Sequence, residues 1–249
     1  NIEVRHTGNI LVTGSNRGIG LELVKQLLDN TGQEDHIYAC CREPEGAGAE
    51  VLRALANQRP EQVTIVQLDT SDEDSVTAAV QVVGERVTAS GLNLLINNAA
   101  INKPASPALL SATSKADMME VFETNVAGPF LLAKVGGQMS CRRSAIINMS
   151  TLVSSIEKCP QNFHIVQMYP YRTSKAALNM LTRCLAEDFR KHSILVTGVH
   201  PGWVITDMGG KEAPMTPQQS VLGMLSMMSS LSDKDSGKLV DWMGNQIPW

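Results

Sequence analysis

A tyrosine and a lysine lie four residues apart in the stretch YPYRTSK, residues 169–175. On a helix, residues four apart share one face, so Tyr171 and Lys175 are expected about one turn from each other. Tyr169 has no such partner, because the residue four positions after it is Thr173. A phenol beside an ammonium can take part in proton transfer, and Tyr171 is therefore the candidate for chemistry.

A second stretch with chemical potential is the glycine-rich turn TGSNRGIG, residues 13–20. It follows an apolar run typical of a strand and precedes a segment of helical periodicity. Glycines 14, 18 and 20 permit a tight turn and let backbone N–H groups approach a pyrophosphate at the helix N-terminus. A P-loop is the alternative phosphate site, but no Lys-Ser or Lys-Thr follows Gly20. The turn predicts a dinucleotide site rather than ATP hydrolysis.

The elements that must position these residues alternate regularly between strand and helix. Apolar runs predict seven strands, at 9–13, 36–41, 63–69, 92–97, 144–150, 193–200 and 237–242. Helical periodicity predicts helices at 18–30, 47–57, 72–89, 115–139, 171–191 and 217–230. Such alternation is typical of a parallel sheet covered on both faces. With no repeat or linker, residues 1–249 are predicted to form a single α/β, doubly wound Rossmann-type domain with a parallel seven-stranded sheet.

The composition excludes several classes of protein. The chain has 249 residues, is 43% apolar and 18% charged, and carries a net charge of −4 without a basic block. We therefore expect a sizeable core, no nucleic-acid partner and no membrane partner. The N-terminal stretch 1–15 lacks the layout of a secretory signal. Five scattered cysteines without CxxC spacing and five histidines without ligand spacing predict a reduced, cytoplasmic protein with no metal.

The glycine spacing and five later motifs resemble the short-chain dehydrogenase/reductase family. These motifs are QLDTSD (67–72), NNAA (97–100), FETNVAGPF (122–130), YRTSK (171–175) and PGWVITDM (201–208). The stretches INMS, YRTSKAALN, HPGWVITDMGG and the terminal IPW further resemble sniffer-type, C-factor-like carbonyl reductases. The resemblance implies reduction of a small aldehyde, ketone or quinone to an alcohol by hydride transfer from NADPH.

The resemblance also implies a role for each matched position. Tyr171 is the implied proton donor, Lys175 lowers its pKa and holds the nicotinamide ribose, and Asn125 positions Lys175 through a water. Asp69 would lie beside the adenine, although a helix N-cap is an equally common role for such an Asp. The implied cofactor-binding residues are Gly14, Asn16, Arg17, Gly18, Ile19, Gly20, Arg42, Asp69, Thr70, Asn98, Ala99, Tyr171, Lys175, Pro201, Gly202, Val204 and Thr206. Ala100 departs from the family's pattern, which has glycine there.

The proton-donor role can be examined with simple electrostatics. A free phenol has a pKa near 10, which is high for acid–base work at neutral pH. An ammonium about 4 Å away contributes roughly 4 kcal/mol at an effective dielectric near 20. At about 1.36 kcal/mol per unit, Lys175 is predicted to lower the pKa of Tyr171 by at most about three units, towards neutrality.

The hydroxyl that should accompany the tyrosine departs from the family's Asn-x-Ser-Ser pattern. Here the stretch is Asn148-Met149-Ser150-Thr151, so Thr151 is the candidate partner of the substrate carbonyl and Ser150 the alternative. Thr151 and Tyr171 are 20 residues apart, which is longer than the family's spacing. The surplus predicts an insertion at about 154–170 beside the active-site mouth. It would either shape substrate access or cover a helix face used for association, which leaves a homodimer or a monomer open.

Cofactor preference and substrate access depend on two further regions. The second predicted strand ends in ACCRE, with no acidic residue before Arg42, and Arg17 lies within the glycine turn. Two arginines suit a 2′-phosphate and favour NADP(H). Residues 207–220 read as a mobile lid. Met208, Met215, Phe163 and Trp203 are possible apolar walls of the pocket, with a core position as the alternative for Trp203.

Two other functions stay open at this point. One is a dinucleotide-binding regulatory or interaction protein with little turnover, which the change from Ser to Thr at Thr151 allows. The other is an NAD-linked alcohol or steroid dehydrogenase that works in the oxidative direction. His200 is predicted to be structural, because the proposed chemistry needs no imidazole.

Overall fold

The computed structural model describes residues 8–87, 90–134 and 144–249. Within these ranges the strands form one sheet in the order β3-β2-β1-β4-β5-β6-β7-β8. The strands are β1 Asn9–Val12, β2 His36–Cys41, β3 Val63–Gln67, β4 Leu94–Asn97, β5 Ala145–Met149, β6 Leu195–His200, β7 Leu239–Asp241 and β8 Gln246–Ile247. Neighbours pair in parallel from β3 to β7. The predicted doubly wound architecture is confirmed.

One correction concerns the number of strands. A short eighth strand, β8, pairs antiparallel with β7 at the edge of the sheet. The turn between them is held by Asp241, whose Oδ1 accepts hydrogen bonds from the backbone N–H groups of Met243 and Asn245, each at 2.9 Å. A strand of two residues carries no periodic signal, which is why the sequence pattern stops at seven.

Eight helices lie within the described ranges, where the sequence pattern predicts six. They are α1 Gly18–Asn30, α2 Glu50–Gln58, α3 Glu73–Val87, α4 Lys115–Phe122, α5 Gly128–Ala133, α6 Cys159–Asn162, α7 Tyr169–Phe189 and α8 Pro217–Ser229. The predicted helix 115–139 is interrupted by a π-helical turn, Glu123–Ala127. Three predicted parts lie outside the described residues: 1–7 of the predicted domain, 88–89 of the predicted helix 72–89, and 135–139 of the predicted helix 115–139.

Two apolar cores lie on opposite faces of the sheet. On one face, Leu27 of α1, Leu52 of α2 and Met224 of α8 pack against the strands. On the other face, Val83 of α3 and Leu132 of α5 belong to a second cluster, to which α7 also contributes. All four residues of β4 are buried, as a strand covered on both faces requires. None of the helices in the described ranges is long and apolar enough to cross a membrane.

The strand order fixes where a ligand can bind. β1 pairs with β2 on one side and with β4 on the other, so the chain reverses its direction of winding between these strands. At such a switch point the loops after the two strands diverge and leave a crevice at the carboxyl ends. The glycine turn follows β1 and the NNAA stretch follows β4, so both predicted cofactor loops border this crevice.

Candidate active site

The loops after β1 and β4 are fastened together by one buried threonine. Thr13 Oγ1 accepts hydrogen bonds from the backbone N–H groups of Asn98 and Ala99, each at 2.9 Å. In return, Asn98 Nδ2 donates to the carbonyl oxygens of Thr13 at 3.1 Å and Gly14 at 3.3 Å. Asn98 and Ala99 therefore hold the glycine turn in place. Thr13 is not among the predicted site residues, because its only signal is a polar residue at the end of an apolar strand.

The glycines of the turn are needed because of these close approaches. Gly14 and Gly18 have φ of +63° and +55°, a region that favours glycine. A Cβ on Gly20 would collide with the carbonyl oxygen of Gly14 and lie 2.6 Å from Asn98 Nδ2. Beside Gly18, only Thr206 comes within 4 Å of the position a Cβ would take, at 3.5 Å. The glycine turn and the 201–206 stretch thus face each other at the N-terminus of α1.

The other predicted cofactor-binding residues next to the turn have mixed surroundings. Ile19 is partly buried against the core, and Val204 is buried, so contact with a ligand would come from their backbone groups. Asn16 Nδ2 donates to the carbonyl oxygen of Gly48 at 3.3 Å. The carbonyl oxygen of Pro201 accepts from Ser220 Oγ at 2.6 Å. These hydrogen bonds fix the positions of Asn16 and Pro201.

Asp69 shapes the loop after β3. Its Oδ1 accepts from the backbone N–H of Ser71 at 3.0 Å and from Ser71 Oγ at 2.7 Å. Asp72, rather than Asp69, accepts at the start of α3, from the N–H of Asp74 at 3.0 Å. The alternative of a helix cap therefore belongs to Asp72. Thr70 is buried, and a Cβ on Gly128 of α5 would come within 2.8 Å of it.

Tyr171 and Lys175 lie one turn apart on α7, as their spacing predicts. Lys175 Nζ lies 5.8 Å from the centre of the Tyr171 ring and donates to the carbonyl oxygen of Met149 at 2.7 Å. Lys175 is 2% exposed, and Tyr171 is half-buried. The two groups are thus held together at the carboxyl end of β5.

The predicted fall in the pKa of Tyr171 is wrong for the chain itself. Burial raises the pKa of Tyr171 to about 12 and lowers the pKa of Lys175 to about 7. The physical reason is that burial removes water from both charged forms, which an estimate from the pair attraction alone leaves out. Tyr171 is consequently a protonated phenol at neutral pH, which is the form that can donate a proton.

Asn125 lies in the π-helical turn between α4 and α5 and is fully buried. Its Oδ1 accepts from the backbone N–H of Ile101 at 2.9 Å. Its Nδ2 donates to the carbonyl oxygen of Ile101 at 2.9 Å and to Ser174 Oγ at 3.1 Å. Ser174 precedes Lys175, so Asn125 fastens α7 to the loop after β4. Short π-helical segments inside helices are frequent at functional sites.

The two candidate hydroxyls differ in their surroundings. Ser150 Oγ donates to Asn179 Oδ1 at 2.7 Å, and Asn179 Nδ2 donates to Ser154 Oγ at 2.7 Å. Ser150 thus belongs to a buried network. Thr151 Oγ1 accepts from the N–H of Val153 at 3.3 Å, and its hydroxyl proton has no acceptor within the described part of the chain. Ser154 Oγ donates to the carbonyl oxygen of Thr151, and Ser155 Oγ donates to the carbonyl oxygen of Pro248 and accepts from the N–H of Lys158.

The predicted insertion forms an ordered wall between Thr151 and Tyr171. It contains α6 and ends at Met168, whose φ is +41° and whose N–H donates to the carbonyl oxygen of Pro107 at 2.9 Å. Tyr169 is the first residue of α7, not a residue before it, and its ring packs edge-on against Phe163 at 5.8 Å. The ring of Tyr169 therefore packs against the insertion, and the predicted helix start, residue 171, is two residues late.

The lid is shorter than its predicted bounds. Thr216 caps α8, which begins at Pro217, so 217–220 belong to this helix. The lid is bonded to the stretch just before it. Trp203 Nε1 donates to the carbonyl oxygen of Gly209 at 2.7 Å, and Met215 pairs with Val204 and accepts from the N–H of Ile205 at its carbonyl oxygen. Trp203 is 56% exposed, which excludes the alternative core position.

The two arginines predicted to bind a 2′-phosphate lie in different environments. Arg17 Nη1 forms an ion pair with Asp207 of the lid at 3.2 Å, and both side chains are largely exposed. Arg42 is exposed just after β2 and lines a hollow together with Glu43, Pro44, Glu45, Gly46 and Gln67. Arg42 is therefore available to a ligand directly, whereas Arg17 has to leave Asp207.

His200 has a structural environment, as predicted. Its Nδ1 accepts from the N–H of Leu152 at 3.0 Å, and its ring packs against Trp242 at 5.8 Å. Burial lowers the pKa of His200 to about 4, so the ring is neutral at physiological pH. Across the described ranges, no group of three or more His, Cys, Asp or Glu side chains is arranged to hold a metal ion.

This chain is similar to known proteins in both sequence and structure. Residues 8–217 match the short chain dehydrogenase family. The NADPH-bound carbonyl reductase from chicken fatty liver is 42% identical, with a TM-score of 0.90 over 99% of this chain and 100% of that one. The carbonyl reductase Sniffer of D. melanogaster is 34% identical, with a TM-score of 0.89 over 98% of this chain and 100% of that one.

A shorter relative extends the comparison. The C-signal protein of Myxococcus xanthus is 34% identical over 160 residues, which are 64% of this chain and 93% of that protein. The predicted resemblance to sniffer-type and C-factor-like proteins is confirmed by these relatives. The chain therefore belongs to the short-chain dehydrogenase family of oxidoreductases.

Proposed function

We propose that this protein is an NADPH-dependent carbonyl reductase. The observation that carries the proposal is the gathering of Tyr171, Lys175, Asn125 and Thr151 at the carboxyl ends of β4 and β5, next to the glycine turn. Lys175 contacts the Tyr171 ring and the carbonyl oxygen of Met149, two residues before Thr151, and Asn125 bonds to Ser174 beside Lys175. The chicken liver and Drosophila relatives, both carbonyl reductases, support the same reaction.

The residues around the switch point fit a dinucleotide. The positive φ of Gly18 and its lack of a side chain would let a pyrophosphate approach the N-terminus of α1, a position that anions favour. Asn98 and Ala99 border the same crevice. The residues proposed to hold NADPH are Gly14, Asn16, Arg17, Gly18, Ile19, Gly20, Arg42, Asp69, Thr70, Asn98, Ala99, Tyr171, Lys175, Pro201, Gly202, Val204 and Thr206.

NADPH, when bound, supplies the hydride to the carbonyl carbon. The carbonyl oxygen then gains negative charge, and Tyr171 donates its proton to this oxygen. Lys175 holds the nicotinamide ribose, and its bond to the carbonyl oxygen of Met149 fixes its position on α7. Burial keeps Tyr171 protonated at neutral pH, so the phenol holds the proton that reduction requires.

Thr151 is proposed as the hydroxyl that donates to the substrate oxygen. Thr151→Ala is expected to lower kcat about 100-fold, because a donor aimed at a developing oxyanion is lost, while Thr151→Ser should keep most activity. Ser150→Ala is expected to lower the free energy of unfolding by about 1–3 kcal/mol, since Asn179 loses a buried partner, with little change in kcat. Steady-state kinetics and urea unfolding of the three variants measure these effects. A loss of kcat confined to Ser150→Ala would show that Ser150, not Thr151, donates to the substrate oxygen.

Arg42 is proposed to bind the 2′-phosphate of NADPH, with Arg17 as its partner. The exposed pair between Arg17 and Asp207 is weak, so a phosphate can displace Asp207. Arg42→Ala is expected to weaken NADPH binding about tenfold to 100-fold, because one charge-assisted contact is lost, and to leave NADH binding unchanged. Fluorescence titration with both nucleotides measures this. Arg86→Ala, which removes an exposed arginine of α3, is the control, and an equal loss for NADPH and NADH would refute the assignment.

The substrate is proposed to be an apolar aldehyde, ketone or quinone. Trp203 and Met208 are 56% and 45% exposed beside the crevice, and Phe163 lies on the insertion. Large apolar side chains exposed at the mouth of a pocket are typical of a site for an apolar ligand. We propose that the protein is cytoplasmic, because its described cysteines are free thiols. We also propose that it is a monomer or a homodimer.

Consumption of NADPH with a panel of aldehydes, ketones and quinones tests the proposed function. We expect turnover with several apolar carbonyl compounds and little with NADH. Tight NADPH binding without turnover across the panel would favour the regulatory alternative. Faster alcohol oxidation with NAD than carbonyl reduction with NADPH would favour the dehydrogenase alternative.

A further inference from the structure

Arg172, the residue after the proposed proton donor, is buried and bonded to the insertion. It is 7% exposed. Its guanidinium donates to the carbonyl oxygen of Val153 at 3.2 Å, to Asn162 Oδ1 at 2.7 Å and to the carbonyl oxygen of Asn162 at 3.2 Å. Two further bonds reach the carbonyl oxygen of Val166, at 3.2 and 2.7 Å. The guanidinium carbon also lies 5.6 Å from the centre of the Phe163 ring.

This arrangement is unusual for a cation. None of its partners is a carboxylate, and Arg172 lies in the first turn of α7, where the helix dipole disfavours positive charge. A buried charge without an acidic partner is tolerated only when hydrogen bonds satisfy it. The planar guanidinium offers five N–H donors in a fixed fork, and its five bonds to Val153, Asn162 and Val166 use all of them. A lysine offers three donors from one nitrogen.

The partners of Arg172 lie between Thr151 and Tyr171 in the chain. Val153 is two residues after Thr151, and Val166 is five residues before Tyr171. Arg172 itself adjoins Tyr171. The guanidinium therefore connects the loop that presents the proposed hydroxyl to the helix that presents the proposed phenol. It also fixes the segment 153–166, including Phe163, as the wall between them.

We propose that Arg172 is a positioning residue that determines substrate specificity by holding the segment 153–166 as a rigid wall of the substrate site. The wall's role in catalysis rests on the proposed function, whereas its dependence on Arg172 does not. Loss of Arg172 should loosen the wall and Phe163, so that large substrates lose a defined contact surface. Small carbonyl compounds, which reach Tyr171 and Thr151 without the wall, should be affected less.

Two variants and a matched control test this proposal. Arg172→Met removes the donors at similar length, and Arg172→Lys keeps the charge with fewer donors. Arg183→Met is the control, because Arg183 lies on the same helix, is half-exposed and pairs with Glu187 at its surface. Hydrogen–deuterium exchange of the segment 153–166 is measured together with NADPH affinity, and with KM and kcat for one small and one bulky carbonyl substrate.

We expect Arg172→Met to speed exchange in 153–166 about tenfold or more, and Arg172→Lys to have a smaller effect. KM for the bulky substrate should rise about tenfold, with KM for the small substrate and NADPH affinity changed less than about threefold. Exchange equal to that of Arg183→Met would overturn the positioning role, even if the chain reduced no carbonyl. Faster exchange with equal rises in both KM values would overturn the specificity role. If Arg172→Met fails to fold, the same outcomes apply to Arg172→Lys.

Discussion

Replacement of Tyr171 by Phe is expected to lower kcat for carbonyl reduction by about 10³-fold, near the middle of the range known for the loss of a general acid. The substitution removes only the hydroxyl, so the ring remains 5.8 Å from Lys175 Nζ and the helix α7 is unchanged. NADPH affinity should change less than about threefold, because the phenol is only one of many proposed contacts. Single-turnover kinetics with a good substrate from the panel measures the chemical step directly.

Tyr169→Phe is the matched control for this experiment. It removes the same hydroxyl two residues earlier, from a ring that packs edge-on against Phe163 and has no proposed part in proton transfer. We expect its kcat to remain within about twofold of wild type, as for most substitutions away from special features. Equal losses in the two variants, or full activity in Tyr171→Phe, would contradict the assignment of Tyr171 as the proton donor.

Replacement of Lys175 by Met is expected to lower kcat/KM about 10³-fold and also to change how stability depends on pH. The first effect follows from the loss of the proposed ribose contact and of the amine beside Tyr171. The change in kcat/KM should include weaker NADPH binding, which distinguishes Lys175→Met from Tyr171→Phe. Lys191→Met, which removes an exposed lysine just after α7, is the control.

The effect on stability has a definite sign. Burial lowers the pKa of Lys175 from 10.5 to about 7, so between these values the unfolded chain holds a proton that the folded chain lacks. The free energy of unfolding should therefore rise with pH from about 7 to 10, by at most about 1.4 kcal/mol per unit from this group. Tyr171 does not oppose this rise, because its pKa is raised from 10 to about 12 and its contribution is lost only above 10.

Urea unfolding at pH 7, 8, 9 and 10 without NADPH measures this slope. Wild type and Lys191→Met should share the slope, and Lys175→Met should be flatter. A slope in Lys175→Met as steep as that of wild type would show that Lys175 is charged in the folded protein throughout this range.

Most of the fold could be predicted because its signals are local. The strand β4 is an uninterrupted apolar run, and the glycines at 14, 18 and 20 mark a turn that no other residue could form. The strand β8 escaped prediction because two residues have no period. The π-helical turn at Asn125 escaped because its signal lies in the buried bonds to Ile101 and Ser174, not in residue type.

The sequence pattern selected the members of the candidate site, but it did not predict their electrostatics. Spacing selected Tyr171 over Tyr169, yet the direction of the pKa shift depends on burial, which a pairwise distance estimate ignores. The sequence pattern left Ser150 and Thr151 as alternatives. The bond from Ser150 to Asn179, 29 residues away, separates them, and such a contact appears only after the chain has folded. The role of Arg172 was not predicted for the same reason, because its bonds to Val153, Asn162 and Val166 form only when the chain folds.

The central claim, hydride transfer from NADPH to a carbonyl carbon at this site, is tested most directly with isotopically labelled cofactor. NADPH that carries deuterium at the transferable C4 position is incubated with the protein and a substrate of the panel, and the alcohol is analysed by mass spectrometry. We predict one deuterium at the carbinol carbon in wild type, with the labelled alcohol strongly reduced in Tyr171→Phe. An alcohol without deuterium, or no alcohol from any carbonyl compound despite tight NADPH binding, would contradict the account.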